Sequence, residues 1–481
     1  MLEQGFDIKE LHEVEKKIGK KFDYMRFSFA DFNGIARGVS MPRRQAVKAL
    51  KSGFSLFLGN ITLGPRGEPS SSKEIVDLRF PNCNFIPSPA TLTHLAWAGR
   101  KKDFLSETDQ RVVGQVLCES AWTAPFRNGS AIDSLPRFIL RRQLDRLEKL
   151  GYIFKSAFEV EFTLYDEKTG LPVFNGLDAV TTLVLAKFED YLYTLEENLK
   201  MAGVEVTSML VEHGLGQFEL TLEPLDGVKS ADALFICKQA IKEISIQRGY
   251  VASFMSKPSK YASANGLHLN MSLWKKEEDG KLVNAFYDDN DQYGLSKVHR
   301  SWIAGLIKHG KSLSALHSPT YNCYRRFHKF LAPDVITWGI DDRTVPFRAK
   351  SCSPSATYCE CRMPSGASNP YLVVASAIAA GMDGIINELE LPERATNVML
   401  SIDATPEGGR QADTESVKYF PYSLAEALKE LERDDLMRNS LGEEFVRWFV
   451  QLKYETEINV LSPLNDEDKW IKEKELYFEF I

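Results

Sequence analysis

The stretch from Gly151 to Tyr165 constrains the fold more than any other part of this chain. Phe154, Ser156, Phe158, Val160, Phe162 and Leu164 share one parity, and Lys155, Ala157, Glu159, Glu161 and Thr163 the other. Period-two alternation with aromatic and β-branched content predicts a strand with one face in a core. Glu159 and Glu161 then project side by side from the opposite face. Two carboxylates that close repel unless water or a cation separates them. A solvated strand face would carry such a pair too, but the pattern recurs.

In Glu212-His-Gly-Leu-Gly-Gln-Phe-Glu219-Leu-Thr-Leu-Glu223, Phe218, Leu220 and Leu222 point inward, while Glu219, Thr221 and Glu223 share the other face. Gly266 to Trp274 places Leu267, Leu269, Met271 and Leu273 on one side and His268, Asn270 and Ser272 on the other. Thr357-Tyr-Cys-Glu360-Cys-Arg362 adds a fourth polar-faced strand. Glutamates with a single imidazole suit a hard divalent cation, Mg²⁺ or Mn²⁺. Any one of these strands is weak evidence, because a lone histidine on such a face is more often simply hydrogen-bonded. The set of four favours a metal. Arginines at 325, 326, 343 and 348 lie between the third and fourth strands. Guanidinium groups beside carboxylate-bound metal are what a triphosphate and a transferring phosphoryl group require, although each arginine alone could equally be solvated.

The rest of the chain bounds the answer. At 481 residues, 44% hydrophobic and 26% charged, it is an ordinary globular composition large enough for two domains. A net charge of -7 with no Lys/Arg-rich block argues against nucleic acid as a partner. The longest apolar run, Tyr371 to Met382, is too short to span a bilayer, so no membrane association is expected. No signal peptide is visible at the start, and seven scattered cysteines read as reduced thiols, which together point to a cytoplasmic protein. Cys359 and Cys361 lack a second cysteine pair for a zinc site and are expected to pack in a core.

Strands joined at Asn33-Gly34 are expected within 21–40, followed by a helix from Pro42 to Gly53. The tract 125–136 is the expected domain junction. Beyond it a helix is predicted near 136–150, then strands near 151–165, 205–224, 265–274, 336–340, 345–350 and 357–363. Helices are predicted near 186–202, 229–248, 296–316, 370–388, 423–433 and 440–455. Hairpin-like connections favour an α+β fold with an antiparallel sheet and helices outside it. The polar stretches 275–293 and 392–419 read as surface excursions.

In this order, Glu159-Val-Glu161-Phe, Glu212…Gly216-Gln-Phe-Glu219, Gly266-Leu-His268, Asn322…Tyr-Arg-Arg326, Arg343…Arg348, Glu360-Cys-Arg362 and Ser368-Asn-Pro-Tyr through Ile385 resemble the glutamine synthetase family over nearly the whole chain. The resemblance implies a small N-terminal β-grasp domain (1–125) and a large catalytic domain (126–481). It also implies a homo-oligomer of stacked rings, with ATP and glutamate as substrates. Glutamate would be converted to γ-glutamyl phosphate, from which an amine displaces phosphate. Carried over by motif, one metal would sit on Glu161, Glu212 and Glu219, and a second on Glu159, His268 and Glu360. Arg326 and Arg362 would hold glutamate; Arg343 and Arg348 would face ATP, with Arg343 acting in catalysis.

Departures accompany the resemblance. The family's ammonia site uses an aspartate in the N-terminal domain; the counterpart here is Phe57-Leu58-Gly59-Asn60, and no Asp occurs between Phe32 and Val76. A catalytic glutamate normally precedes an Ala-Pro pair, where this chain has Leu331-Ala-Pro333. Tyr358 replaces a usual arginine, and Asn270 the second histidine of a His-x-His. Metal and glutamate positions kept with ammonia positions altered leave two readings open: a ligase for a larger or less polar amine, or a non-catalytic protein. Trp302 to His309, Thr337 to Asp342 and the helix from Asn369 resemble lengsin, the family's eye-lens branch. That branch implies a structural or chaperone-like pseudoenzyme whose partners are cytoskeletal filament proteins.

Overall fold

A computed structural model describes residues 16, 18, 21–99, 111–123, 130–260, 263–327, 332–394 and 418–481. Two sheets organise them. In the first, the strands run in the order Ala36–Pro42, Tyr24–Ala30, Val113–Trp122, Asn82–Pro87 and Phe54–Phe57, with Thr93–His94 on the edge of Val113–Trp122. Tyr24–Ala30 and Val113–Trp122 are parallel, the remaining pairs antiparallel, and the helix Arg43–Ser52 follows the first hairpin. This is the β-grasp arrangement expected. Asp31 builds the hairpin turn: its Oδ1 accepts from the backbone N–H groups of Asn33 and Ile35, both at 2.9 Å, and Gly34 takes φ +78°. Pro42 is the cap preceding the helix rather than part of its first turn. The proposed boundary at 125/126 lies outside the described residues.

The second sheet has ten strands. Its continuous path runs Trp338–Ile340, Phe347–Ser351, Thr357–Cys361, Leu267–Lys276, Ile153–Asp166, Gln217–Leu222 and Val206–Val211. Only the first pair is parallel. The alternation read from sequence governs which face is dry. Phe158, Val160, Phe162 and Leu164 are fully buried, as are Phe218, Leu220, Leu267, Leu269 and Leu273 from the neighbouring strands. Cys359 and Cys361 are buried on the same apolar side, so they pack as expected.

Helices cover that side. Pro370–Ile386 begins with Asn369 accepting from the Tyr371 N–H at its N-terminus, and it is buried from Pro370 to Gly384. Asn369 also donates to the carbonyl of Asp31 at 2.9 Å, which ties the helix to the first hairpin. The helix crosses Lys297–Lys308 at glycines: a Cβ on Gly384 would lie 1.9 Å from the Ser301 carbonyl, and one on Gly305 2.1 Å from that of Ala380. Backbones approach this closely only where no side chain intervenes.

Several predicted elements divide. The region 205–224 is two strands, 296–316 breaks at His309 into Lys297–Lys308 and Gly310–His317, and 440–455 holds the end of Asp435–Leu441 and Glu443–Lys453. The strand Tyr250–Ser253 and the helix Asp466–Tyr477 went unread in the sequence. Most of the excursion 392–419 lies outside the described residues.

Candidate functional site

The polar face of the second sheet is the candidate site. Strand register sets it. His268 stands opposite Glu159, Glu161 opposite Glu219, Glu360 opposite Asn270, and Arg348 opposite Glu360. Facing residues on one side of an antiparallel pair have Cβ atoms about 5 Å apart. Period-two patterning therefore converges side chains that are up to two hundred residues apart in sequence.

Two groups of ligand atoms result. Glu159, His268 and Glu360 offer donor atoms all within 4.8 Å of one another, and so do Glu161, Glu219 and His268. His268 Nδ1 is 3.0 Å from Glu159 Oε2 and 3.9 Å from Glu360 Oε1. Asn270 donates to Glu159 Oε1 at 2.8 Å. Glu161 accepts from the Gly266 N–H at 2.7 Å and from Gln217 at 3.0 Å. The second group differs from the sequence expectation: His268 completes it, and Glu212 stands beside it, hydrogen-bonded to the His213 backbone N–H and ring. Glu212 still makes itself felt, since its charge helps raise the pKa of both Glu161 and Glu219.

The electrostatics fit a divalent cation. Burial pushes Glu219 up to about 9, with Glu161, Glu159 and Glu212 adding repulsion. Burial likewise raises Glu161. Burial also works against the charge of Glu159, but His268, Asn270 and Arg362 outweigh it and hold that carboxyl down at about 2. A hard cation among these oxygens would replace the proton held by Glu219, relieve the repulsion felt by Glu161 and find Glu159 ready to ligate. The Asn270 side-chain oxygen is buried without a hydrogen-bond partner, a further oxygen available to a metal or its water. Both ligand groups thus fit Mg²⁺ or Mn²⁺.

Arginines close the acidic face on one side. Glu360 is bound through Oε1 to Arg362 at 2.5 Å and through Oε2 to Arg348 at 2.9 Å. Arg348 also reaches Asp341 at 2.5 Å. The Nε donors of Arg348 and Arg362 are buried and unpartnered. Arg326 is buried, with Nη1 on the carbonyls of Met363 and Pro364 and Nη2 on that of Arg362. Arg343 is exposed in the turn between Trp338–Ile340 and Phe347–Ser351, apart from this group. Gly266 sits at the centre: a Cβ there would lie 3.1 Å from both Glu161 Oε1 and His268 Nε2, and 3.3 Å from Arg326 Nη2. In the sequence this glycine is only part of a motif; its crowding arises from the side chains of Glu161, His268 and Arg326, which the fold brings around it.

Of the positions expected to be altered, Leu58 is fully buried in the hydrophobic core. Leu331 lies outside the described residues. Tyr358 is half-buried on the edge of the polar face beside Lys350. No helix among the described residues is long and apolar enough to cross a membrane.

Comparison with known proteins places this geometry. The glutamine synthetase catalytic-domain family matches residues 133–467. A glutamate–methylamine ligase of Methyloversatilis universalis is 33% identical over 459 residues, covering 92% of this chain and 94% of the relative. The glutamine synthetase of Thermotoga maritima is 30% identical over 433 residues, covering 89% and 91%. Lengsin of Canis lupus familiaris is 27% identical over 450 residues, covering 92% of this chain and 72% of the relative. In fold, a solved glutamine synthase homolog superposes with a TM-score of 0.78 at 24% identity, covering 95% of this chain and 99% of that one. A polar sheet face bearing convergent carboxylates, one histidine and buried arginines, carried on a chain matched end to end by such relatives, makes this protein a member of the glutamine synthetase family of carbon–nitrogen ligases.

Proposed function

We propose that this chain is an ATP-dependent glutamate–amine ligase whose acceptor is an amine other than ammonia. The observation that carries the reading is the convergence of Glu159, Glu161, Glu219, Glu360 and His268 on one sheet face, with Arg326, Arg348 and Arg362 against it. The match to a glutamate–methylamine ligase and Leu331, where the family resemblance leads one to expect a glutamate, support this acceptor class.

In this reading the γ-carboxylate oxygen of glutamate attacks the terminal phosphorus of ATP, and the β–γ bridge bond breaks to release ADP. The amine lone pair then attacks the acyl carbon of γ-glutamyl phosphate, the C–O bond to phosphate breaks, and the ammonium proton passes to a base or water. Divalent cations held by Glu161 and Glu219, with Glu212 nearby, and by Glu159, His268 and Glu360 would neutralise charge on the phosphoryl oxygens. His268 belongs to both ligand groups. Arg362 and Arg326 would orient the glutamate carboxylates, and Arg326 is rigid for that task because three carbonyls hold its guanidinium. Arg348 and Arg343 would meet the triphosphate. Arg343, exposed on its turn, would meet the transferring group from the solvent side. An alkylamine arrives mainly protonated at neutral pH and gives a proton to a base or water before attack, while its alkyl group tolerates an apolar contact.

Tyr358 in place of an arginine favours the second reading, a lengsin-like protein that associates without turnover. A screen of phosphate release over ammonia, methylamine, ethylamine and longer amines, with Mg²⁺ or Mn²⁺, ATP and glutamate, separates the two. Release that depends on an alkylamine and exceeds that with ammonia supports the ligase. No release with any amine supports the second reading.

A further inference from the structure

Lys350 lies one row from the catalytic face, and neither the motif nor the family match draws attention to it. It follows Arg348 by two residues on the strand Phe347–Ser351, so both side chains leave the same face. In register it stands opposite Tyr358, as Arg348 stands opposite Glu360. The four side chains form a two-by-two block, Arg348 and Glu360 in one row, Lys350 and Tyr358 in the next. The Lys350 ammonium lies 5.4 Å from the Tyr358 ring centre. Burial disfavours its charge, yet Tyr358, with a smaller contribution from the Glu360 charge, outweighs that and raises its pKa.

No carboxylate forms an ion pair with this ammonium within 4.0 Å among the described residues. Arg348, by contrast, is committed to Glu360 and Asp341, although its buried Nε still lacks a partner. A half-buried cation with no carboxylate partner, one row along the strands from the candidate metal ligand Glu360, is arranged for an anion arriving from solution. The only strongly anionic substrate of the proposed reaction long enough to extend beyond the metal ligands is the nucleotide.

Resting on the ligase reading above, we propose that Lys350, aligned by Tyr358, is a nucleotide-positioning residue that contacts the triphosphate of ATP. The pair supplies from two neighbouring strands what one arginine at 358 could supply alone: the positive charge comes from Lys350, and the planar support and hydroxyl from Tyr358. Phosphate recognition by a lysine is that of a point charge, so its position depends on what holds the stem.

The test is calorimetric titration of Mg²⁺-loaded full-length protein with a non-hydrolysable ATP analogue, alongside steady-state kinetics. Lys350→Ala is expected to weaken nucleotide binding roughly tenfold or more, to raise KM for ATP more than it lowers kcat, and to leave KM for glutamate unchanged. Lys350→Arg should recover most of the affinity. Lys350→Ala combined with Tyr358→Arg should recover part of it, because the cation returns from the neighbouring strand. Unchanged affinity in Lys350→Ala with wild-type protein that binds nucleotide overturns this inference and leaves the ligase reading intact. Wild-type protein that binds no nucleotide overturns both. A Lys350→Ala protein with a lowered melting temperature is judged on the double variant alone, whose failure to recover affinity overturns the inference.

Discussion

Glu159 and His268 face each other across adjacent antiparallel strands, with His268 Nδ1 3.0 Å from Glu159 Oε2. Each belongs to a strand whose other face is buried and largely apolar, so the pairing that buries Phe158, Val160, Leu267 and Leu269 also fixes this contact. A slip of one residue in either strand would turn the carboxylate or the imidazole into the core. The same register that makes the core makes the site.

Asn270 tests this positioning without removing a carboxylate. It donates to Glu159 at 2.8 Å, and its oxygen is buried and unpartnered. Asn270→Ala is expected to weaken Mn²⁺ binding by roughly 10- to 100-fold, the usual cost of losing a group that orients a ligand. Mn²⁺ titration by electron paramagnetic resonance reads this directly, and circular dichroism spectra should match the wild type.

Gly266→Ala tests the crowding at the centre. The new methyl group would press on Glu161, His268 and Arg326 at 3.1 to 3.3 Å. The expected outcome is a loss of Mn²⁺ affinity of about tenfold or more with a melting temperature lowered by only a few degrees, because the strand itself is undisturbed. Differential scanning calorimetry with and without Mn²⁺ measures both effects.

Much of this site could be read from the sequence because period-two alternation says which residues share a face, and Glu159, Glu161, Glu219, His268 and Glu360 all obey it. Register between strands is not written so plainly. Which carboxylates His268 reaches depends on how Leu267–Lys276 and Gln217–Leu222 pair with Ile153–Asp166. Helix breaks were missed for a similar reason. The apolar pattern of 296–316 runs through His309, and only tertiary partners, Asp383 and Asp434, reveal why the chain turns there.

That histidine gives a pH prediction. His309 Nδ1 is 2.7 Å from Asp434 and Nε2 3.1 Å from Asp383, while Lys308 and Ser312 bind the same two carboxylates. Burial lowers its pKa, but the two aspartates outweigh burial and raise it. A raised pKa contributes stability that is present below about 6.5, the unfolded value, and is lost as pH rises through the folded value. His309→Gln should therefore cost about 2–4 kcal/mol at pH 6 and less at pH 9. Urea denaturation at the two pH values checks the sign; an equal cost at both would contradict it.

Lys453 and Glu457 form a fully buried ion pair at 2.6 Å. Lys453 also donates to Asn33, and Glu457 accepts from Tyr477, linking the first hairpin to the C-terminal helices. Lys453→Met alone should cost about 3–5 kcal/mol by leaving Glu457 charged and unpaired. The double change Lys453→Met with Glu457→Leu should cost clearly less than the sum of the single changes. A double-mutant cycle by chemical denaturation gives the coupling, and strict additivity would contradict the pairing.

Glutamate labelled with ¹⁸O in its γ-carboxylate offers the most direct test of the ligase account. Protein, Mg²⁺, ATP, labelled glutamate and an alkylamine are incubated, and the released phosphate is analysed by mass spectrometry. Acyl-phosphate chemistry predicts one ¹⁸O in each phosphate released, dependent on the metal and on the amine, with loss of release in Glu219→Gln. Release of unlabelled phosphate, or no release with any amine, would contradict the account.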